Sequence, residues 1–179
     1  SNQMKVKNAI SRISLPAPAK INLFLAVTGK RKDGFHEINT VLAKLELSDQ
    51  VILESTDKRD EVQCVCSGND TLSGRNNLAY KAIKEWRRFS GDRTGMKVTI
   101  AKRIPAMAGL GGGSSDAGTV LLGLNRIFDN EFSENQLVEL ATPLGADVPF
   151  FAVEHSGVLA TGIGEKMQPV KPVDNCTFI

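Results

Sequence analysis

The chain is short of the residues that mark several protein classes. Its 179 residues include only 3 cysteines, 2 histidines, 1 tryptophan and 1 tyrosine. An odd cysteine count without regular spacing argues against a disulfide framework and fits a reducing compartment. Cys64 and Cys66 fall in a strand-like stretch, Glu61–Cys66, where alternate residues share a face. No CxxC pair or neighbouring histidine accompanies them, so no metal or redox site is expected there. No apolar run approaches the ~20 residues that a membrane-spanning helix needs. Charge of one sign is also lacking, since 22 basic against 20 acidic residues leave +2. A dedicated nucleic-acid binder carries a larger basic excess or a basic stripe. The densest basic clusters, Lys30–Lys32 and Arg87–Arg88, are expected to be solvated surface. Residues 1–12 begin Ser1–Asn2–Gln3–Met4, lack a signal-peptide apolar core, and read as an expression tail and flexible N-terminus. The expectation is a cytoplasmic domain of enzyme size that meets neither membrane nor nucleic acid.

What is present fits one globular core, with 41% apolar and 23% charged residues. The first third reads as strands: Ile13–Leu15 running through Pro16 and Pro18 into Ile21–Val27, then a turn at Lys30–Gly34. Glu37–Leu47 follows, and Ser48–Asp49 is expected to turn the chain into Val51–Glu54. Leu78, Ala82, Ile83, Trp86 and Phe89 carry helical spacing, ended near Gly91. Met96–Ile104 alternates as a strand stopped by Pro105, and Ser115–Phe128 has one apolar stripe. Ser133 caps a further helix that ends around Gly145. Strands and helices in mixed order, without strict alternation, predict an α+β layer fold rather than a doubly wound one.

Chemistry concentrates in Pro105–Asp116, between a predicted strand and a predicted helix. Gly109, Gly111, Gly112 and Gly113 let backbone N–H groups approach an anion closely. The helix mouth at Ser114 and Ser115 adds unpaired donors, the positive end of a dipole and two hydroxyls. A triphosphate needs such groups. A Walker A loop is excluded, because no lysine stands between Lys102 and the helix. A dinucleotide fingerprint is excluded as well, because Ser114 and Asp116 occupy the positions of its third glycine.

Gly109–Leu110–Gly111–Gly112–Gly113–Ser114–Ser115–Asp116–Ala117 resembles the phosphate-binding loop of the galactokinase–homoserine–mevalonate–phosphomevalonate (GHMP) kinase superfamily. Pro18–Leu23, Asp33–His36 and Leu144–Phe151, taken together in order, resemble the superfamily's methylerythritol-pathway branch. The resemblance runs from about Leu15 to about Val170. It implies the superfamily's N-terminal domain over residues 13–170, ribosomal protein S5 domain 2-like, a mixed sheet with helices on one side. Residues 171–179 would then begin a C-terminal domain, since members of this branch are longer and place the active site between two domains.

The implied reaction is ATP- and Mg²⁺-dependent phosphorylation of the 2-hydroxyl of 4-diphosphocytidyl-2-C-methyl-D-erythritol, in the non-mevalonate isoprenoid route. No motif for direct metal ligation is present, so Mg²⁺ is expected to arrive with the ATP phosphates. Asp147, between a predicted helix end and an apolar segment, is expected to be poorly hydrated and to take the hydroxyl proton. Lys20 is implied as its electrostatic partner, and Asn22, of the same strand parity, as a substrate-orienting group. Phe35 and His36 are implied to stack on and recognise cytosine, with Phe35 standing where tyrosine is common. Residues 109–115, Leu110 included, are implied to cradle the phosphates, and Asn77 and Lys102 to meet the adenine end. Met107 departs from the branch, which favours a smaller residue there. Two alternatives remain: a homoserine- or mevalonate-type kinase, and a non-catalytic RNA-binding relative of the same fold.

Overall fold

A hairpin of two long strands organises the molecule. In the computed structural model, which describes residues 11–171 and 177, β1 (Arg12–Lys30) and β2 (His36–Thr56) pair antiparallel along their whole length. The other edge of β2 is shared. Its first half, Ile38–Ala43, pairs with β5 (Gly157–Gly162), and its second half, Gln50–Thr56, with β4 (Gly95–Ala101). Outside these, β3 (Val62–Ser67) lies parallel to β4, and β6 (Lys166–Pro169) antiparallel to β5. The result is the mixed sheet of an α+β fold.

Among the described residues four α-helices complete the domain: α1 (Leu78–Ser90), α2 (Gly112–Ile127), α3 (Glu134–Ala141) and α4 (Val148–Phe151). Val51, Leu53, Cys64, Cys66, Met96, Val98 and Ile100 alternate inward and meet Ala82, Ile83, Trp86, Val120, Leu121 and Leu124 from α1 and α2. Trp86 is 1% exposed, with Phe132 edge-on at 4.6 Å and Phe128 stacked at 5.9 Å. Such an anchor contributes about 3–5 kcal/mol against truncation to alanine. Asn77 caps α1, Gly91 ends it in the left-handed region, and Ser133 forms a capping box with Gln136 on α3.

Several expectations are corrected. The turn at Ser48–Asp49 does not exist, because β2 runs straight through it. The irregularity lies just before, where Leu45, Glu46 and Leu47 face only Ala19 in a bulge between the pairs Lys20–Lys44 and Pro18–Ser48. The strand predicted to reach Ile104 ends at Ala101, because the Asp49 carboxylate takes the N–H groups of Arg103 and Ile104. Helix α2 begins at Gly112 rather than Ser115, so the last glycines form its first turn. Beyond Gly145, where the pattern predicts no further element, α4, β5 and β6 form. Arg87 is not idle surface: it donates to the carbonyls of Asp60, Glu61 and Thr94 and ties the end of α1 to the sheet. The expected N-terminal tail and the expected start of a second domain lie almost wholly outside the described residues.

Candidate active site

The register shift in β1 between Pro18 and Lys20 turns both Ala19 and Lys20 inward. Lys20 is 8% exposed, and its N–H donates to Leu110 O at 2.9 Å, fastening the strand to the glycine-rich segment. A buried ammonium requires partners. Lys20 Nζ donates to Asn22 Oδ1 at 2.7 Å and stands 3.6 Å from Asp147 Oδ2. Asn22 Nδ2 in turn donates to Thr40 Oγ1 at 2.9 Å, and that hydroxyl donates to Phe24 O at 2.6 Å. The amide of Asn22 is thereby held with its oxygen toward the ammonium.

Asp147 is the residue preceding α4. The helix turns Val148, Pro149, Phe150 and Phe151 into the core and leaves the aspartate on the outer side, its side chain 41% exposed. The expectation of a poorly hydrated acid is therefore corrected: the carboxylate faces open space. Gly118 sets its position, since a Cβ there would lie 2.5 Å from the Phe151 backbone carbonyl carbon, so α2 and α4 touch backbone to backbone.

The glycine-rich segment closes over Lys20. Gly109 and Gly111 have φ of 72° and 70°, and Met107 has 59°. All three sit in the left-handed region, which side chains with a Cβ rarely enter. Ser115 N–H makes the first intrahelical bond, to Gly111 O at 2.8 Å. The N–H groups of Gly112, Gly113 and Ser114 precede it and have no intrahelical acceptor. A cavity of about 340 Å³ lies against this mouth, lined by the loop together with Asn77, Leu78, Lys102 and Asp116. Met107 stands fully exposed at its rim. Ser115 Oγ is buried without a partner.

Beneath the loop is a buried ionic cluster that sequence reasoning missed. Lys102 Nζ contacts Asp49 Oδ2 at 2.5 Å and Asp116 Oδ2 at 2.9 Å. Burial pushes the Asp116 carboxyl up to about 8, and its hydrogen bond with Asp49 adds to the rise. Burial acts upward on Asp49 as well, but hydrogen bonds from Asp116, the Ile104 N–H, Lys102 and the Arg103 N–H outweigh it and hold that group below its usual range. Two carboxyl groups thus share one ammonium, with Asp116 shifted upward and Asp49 downward. The only sequence signal was an aspartate inside an otherwise strand-like run, which turn propensity explained away.

The structure brings Lys20, Asn22, Asp147 and the 109–115 segment together, with Asn77 and Lys102 on the wall of the adjoining cavity. Both wall residues are engaged. Asn77 Oδ1 accepts from Ala79 N–H and its Nδ2 donates to Leu72 O, each at 2.8 Å, while Lys102 holds its two carboxylates. Phe35 and His36 stand apart at the hairpin tip, where Phe35 is 59% exposed and His36 pairs with Lys30. Lys30 and Lys20 are separated along β1 by at most roughly 33 Å of extended strand, and register shifts at Asn22/Phe24 and Val27/Gly29 bend that path. His155 pairs with Glu134 at the surface. Cys64 and Cys66 are buried thiols, and burial first of all pushes Cys64 up to about 11. Among the described residues no helix is long and apolar enough to cross a membrane.

Residues 77–155 match the family described as GHMP kinases N terminal domain. A protein of Desulfotalea psychrophila named 4-diphosphocytidyl-2-C-methyl-D-erythritol kinase is 46% identical over 99% of this chain and 60% of its own length. One of the same name from Geobacter sulfurreducens is 38% identical over 92% of this chain and 58% of its own length. The chain thus spans about 60% of the length of these relatives. A crystal structure of 4-(cytidine 5'-diphospho)-2C-methyl-D-erythritol kinase superposes with a TM-score of 0.72 at 40% identity, covering 88% of this chain and 55% of that one. Homoserine kinase from Cytophaga hutchinsonii, at 17% identity and a TM-score of 0.61 over 89% of this chain and 50% of its own, shares the fold.

Proposed function

We propose that this chain, whose residues 77–155 match the N-terminal domain of the GHMP kinases, forms the nucleotide-binding and catalytic part of a kinase. Its acceptor would be the 2-hydroxyl of 4-diphosphocytidyl-2-C-methyl-D-erythritol, its donor ATP, and its setting the cytoplasm. The observation that carries this reading is the meeting of three elements: Lys20 within 3.6 Å of Asp147, and both beside a helix mouth whose glycines expose unpaired N–H groups.

In this reading the 109–115 backbone binds the triphosphate, and the α2 N-terminus adds its dipole. Asp147, open on one side, accepts the proton of the substrate hydroxyl as that oxygen bonds to the γ-phosphorus and the bond to ADP breaks. Lys20 lies within reach of the transferring group and stabilises its charge. Asn22 orients the substrate and holds the ammonium. Little covalent work falls to the protein in such a transfer, and positioning with electrostatics accounts for most of the catalysis. The unpartnered Ser115 hydroxyl and its neighbour Ser114 suit a magnesium ion carried on the phosphates, which would neutralise their charge. Phe35 and His36 at the hairpin tip suit the cytosine of an elongated acceptor, and their distance along the strand favours a nucleoside-diphosphate-linked alcohol over a compact one.

The test is calorimetric titration of the chain with diphosphocytidyl-methylerythritol, homoserine and mevalonate, and separately with a non-hydrolysable ATP analogue and Mg²⁺. The expected result is binding of the ATP analogue and of the cytidine compound alone among the acceptors. Equal affinity for all three acceptors would overturn the substrate assignment.

A further inference from the structure

The glycine-rich segment leaves the sheet at Lys102 and rejoins regular structure at Gly112, and neither end is held by the glycines themselves. Both ends are held by Asp49. This carboxylate is 0% exposed, in the middle of β2, and belongs to no element of the loop. One oxygen accepts from the N–H groups of Arg103 at 2.6 Å and Ile104 at 2.8 Å, which turns the chain out of β4. Its other oxygen takes Lys102 Nζ at 2.5 Å, and the same ammonium reaches Asp116 Oδ2 at 2.9 Å in the first turns of α2. A Cβ added at Gly112 would stand 3.2 Å from Lys102 Nζ, so the ammonium packs directly under the junction of loop and helix.

Buried ion pairs rarely stabilise a core better than apolar groups of the same volume. Here the pairing does what an apolar group cannot: it satisfies two backbone donors at one end of the loop and, through Lys102, fastens the other end to the same carboxylate. We propose that Asp49 is a positioning residue for nucleotide binding, setting the spacing and direction of the two loop ends without touching the nucleotide. It follows that the Lys102 ammonium is spent on Asp49 and Asp116, and what Lys102 offers the cavity is its stem. This inference rests on the reading of the 109–115 segment as a phosphate site.

Two variants and two measurements test it. Asp49→Ala removes both anchors, whereas Asp49→Asn keeps an acceptor for the two N–H groups and loses the charge that holds Lys102. Hydrogen exchange on the nucleotide-free chain reads the loop, and titration with an ATP analogue reads the site. Asp49→Ala is expected to speed exchange of the hydrogen-bonded amides at the two loop ends, Arg103 and Ile104 on one side and Ser115 on the other, at least tenfold, with α1 and α3 unchanged, and to weaken nucleotide binding at least tenfold. Asp49→Asn is expected to keep Arg103 and Ile104 protected, speed exchange at Ser115 where α2 begins, and still weaken binding several-fold. Unchanged exchange at Arg103, Ile104 and Ser115, or an equal rise throughout the chain, would overturn the positioning role. If Asp49→Ala fails to fold, Asp49→Asn decides: native exchange with native affinity ends the proposal. If the unaltered chain does not bind the ATP analogue, the phosphate-site reading falls, while the exchange data still report whether Asp49 holds the loop.

Discussion

Lys20 Nζ lies 2.7 Å from the amide oxygen of Asn22 but 3.6 Å from the nearer carboxylate oxygen of Asp147. The ammonium is thus hydrogen-bonded to the neutral group and only attracted to the charged one. In the proposed mechanism Asp147 thereby keeps its lone pairs for an incoming hydroxyl, while Lys20 stays buried without a direct hydrogen bond to it.

Asp147→Asn removes the proposed proton acceptor and preserves the shape. Turnover of the cytidine-linked alcohol is expected to fall by about 10²–10⁴-fold, the usual contribution of a positioned general base. Affinity for an ATP analogue should stay within a factor of two or so, because Asp147 lies outside the loop. Steady-state kinetics with direct titration would check this, and undiminished turnover would remove Asp147 from the mechanism.

Gly111→Ala strikes the loop where it rests on Lys20. The residue has φ of 70°, and a Cβ would stand 3.0 Å from Lys20 Cγ and 3.1 Å from the Phe151 ring. The left-handed backbone alone costs about 1–2 kcal/mol for a residue with a side chain. Nucleotide affinity is expected to fall about tenfold. At Gly113, where a Cβ meets nothing within 4 Å, the same change should leave thermal stability unaltered. Equal melting temperatures for both variants would count against the packing argument.

Gly118→Ala tests the contact between α2 and α4. A methyl there would press to 2.5 Å on the backbone and Cβ of Phe151 and to 2.8 Å on the Ala152 nitrogen. Overpacking of this kind costs about 1–3 kcal/mol, or roughly 2–4 °C of melting temperature per kcal/mol in a domain of this size. Thermal unfolding measures the first effect. Since α4 follows directly on Asp147, turnover should drop with it, and a stable but inactive variant would locate the damage at that helix.

Lys44 gives the fold a pH dependence. Its ammonium donates to Val153 O at 2.5 Å and lies 5.0 Å from the Phe150 ring centre. Burial lowers its pKa to about 8, against the opposing pull of Glu154 and Glu134. Between that value and the ordinary 10.5, the unfolded chain binds the extra proton, so stability contributed by this site rises with pH. Denaturant titrations across that window should show the rise in the parent and a flatter curve in Lys44→Met. Parallel curves would mean that Lys44 does not titrate there.

Much of the site was legible because it is local. Four glycines among five positions before an amphipathic stripe, and Asn and Ser at helix starts, act through backbone conformation and capping within a few residues. Their consequences do not depend on what packs nearby. The Lys20–Asn22 pairing was legible for the same reason, through strand parity, although the bulge at Ala19 supplied the inward turn.

The amino-acid sequence by itself determined the loop, α1 through α3, most strand positions and the residue types of the site. Only the tertiary structure decided which of them meet. Asp49 looked like a turn residue because a short polar side chain ordinarily bonds its own backbone. Instead it finds partners 53–55 positions away, in Lys102, Arg103 and Ile104, and that long-range satisfaction keeps β2 straight and ends β4 early. The exposure of Asp147 was likewise set by α4 turning four apolar residues inward. Phe35 and His36 stayed apart from Lys20 because a strand, unlike a loop, holds its ends at a distance.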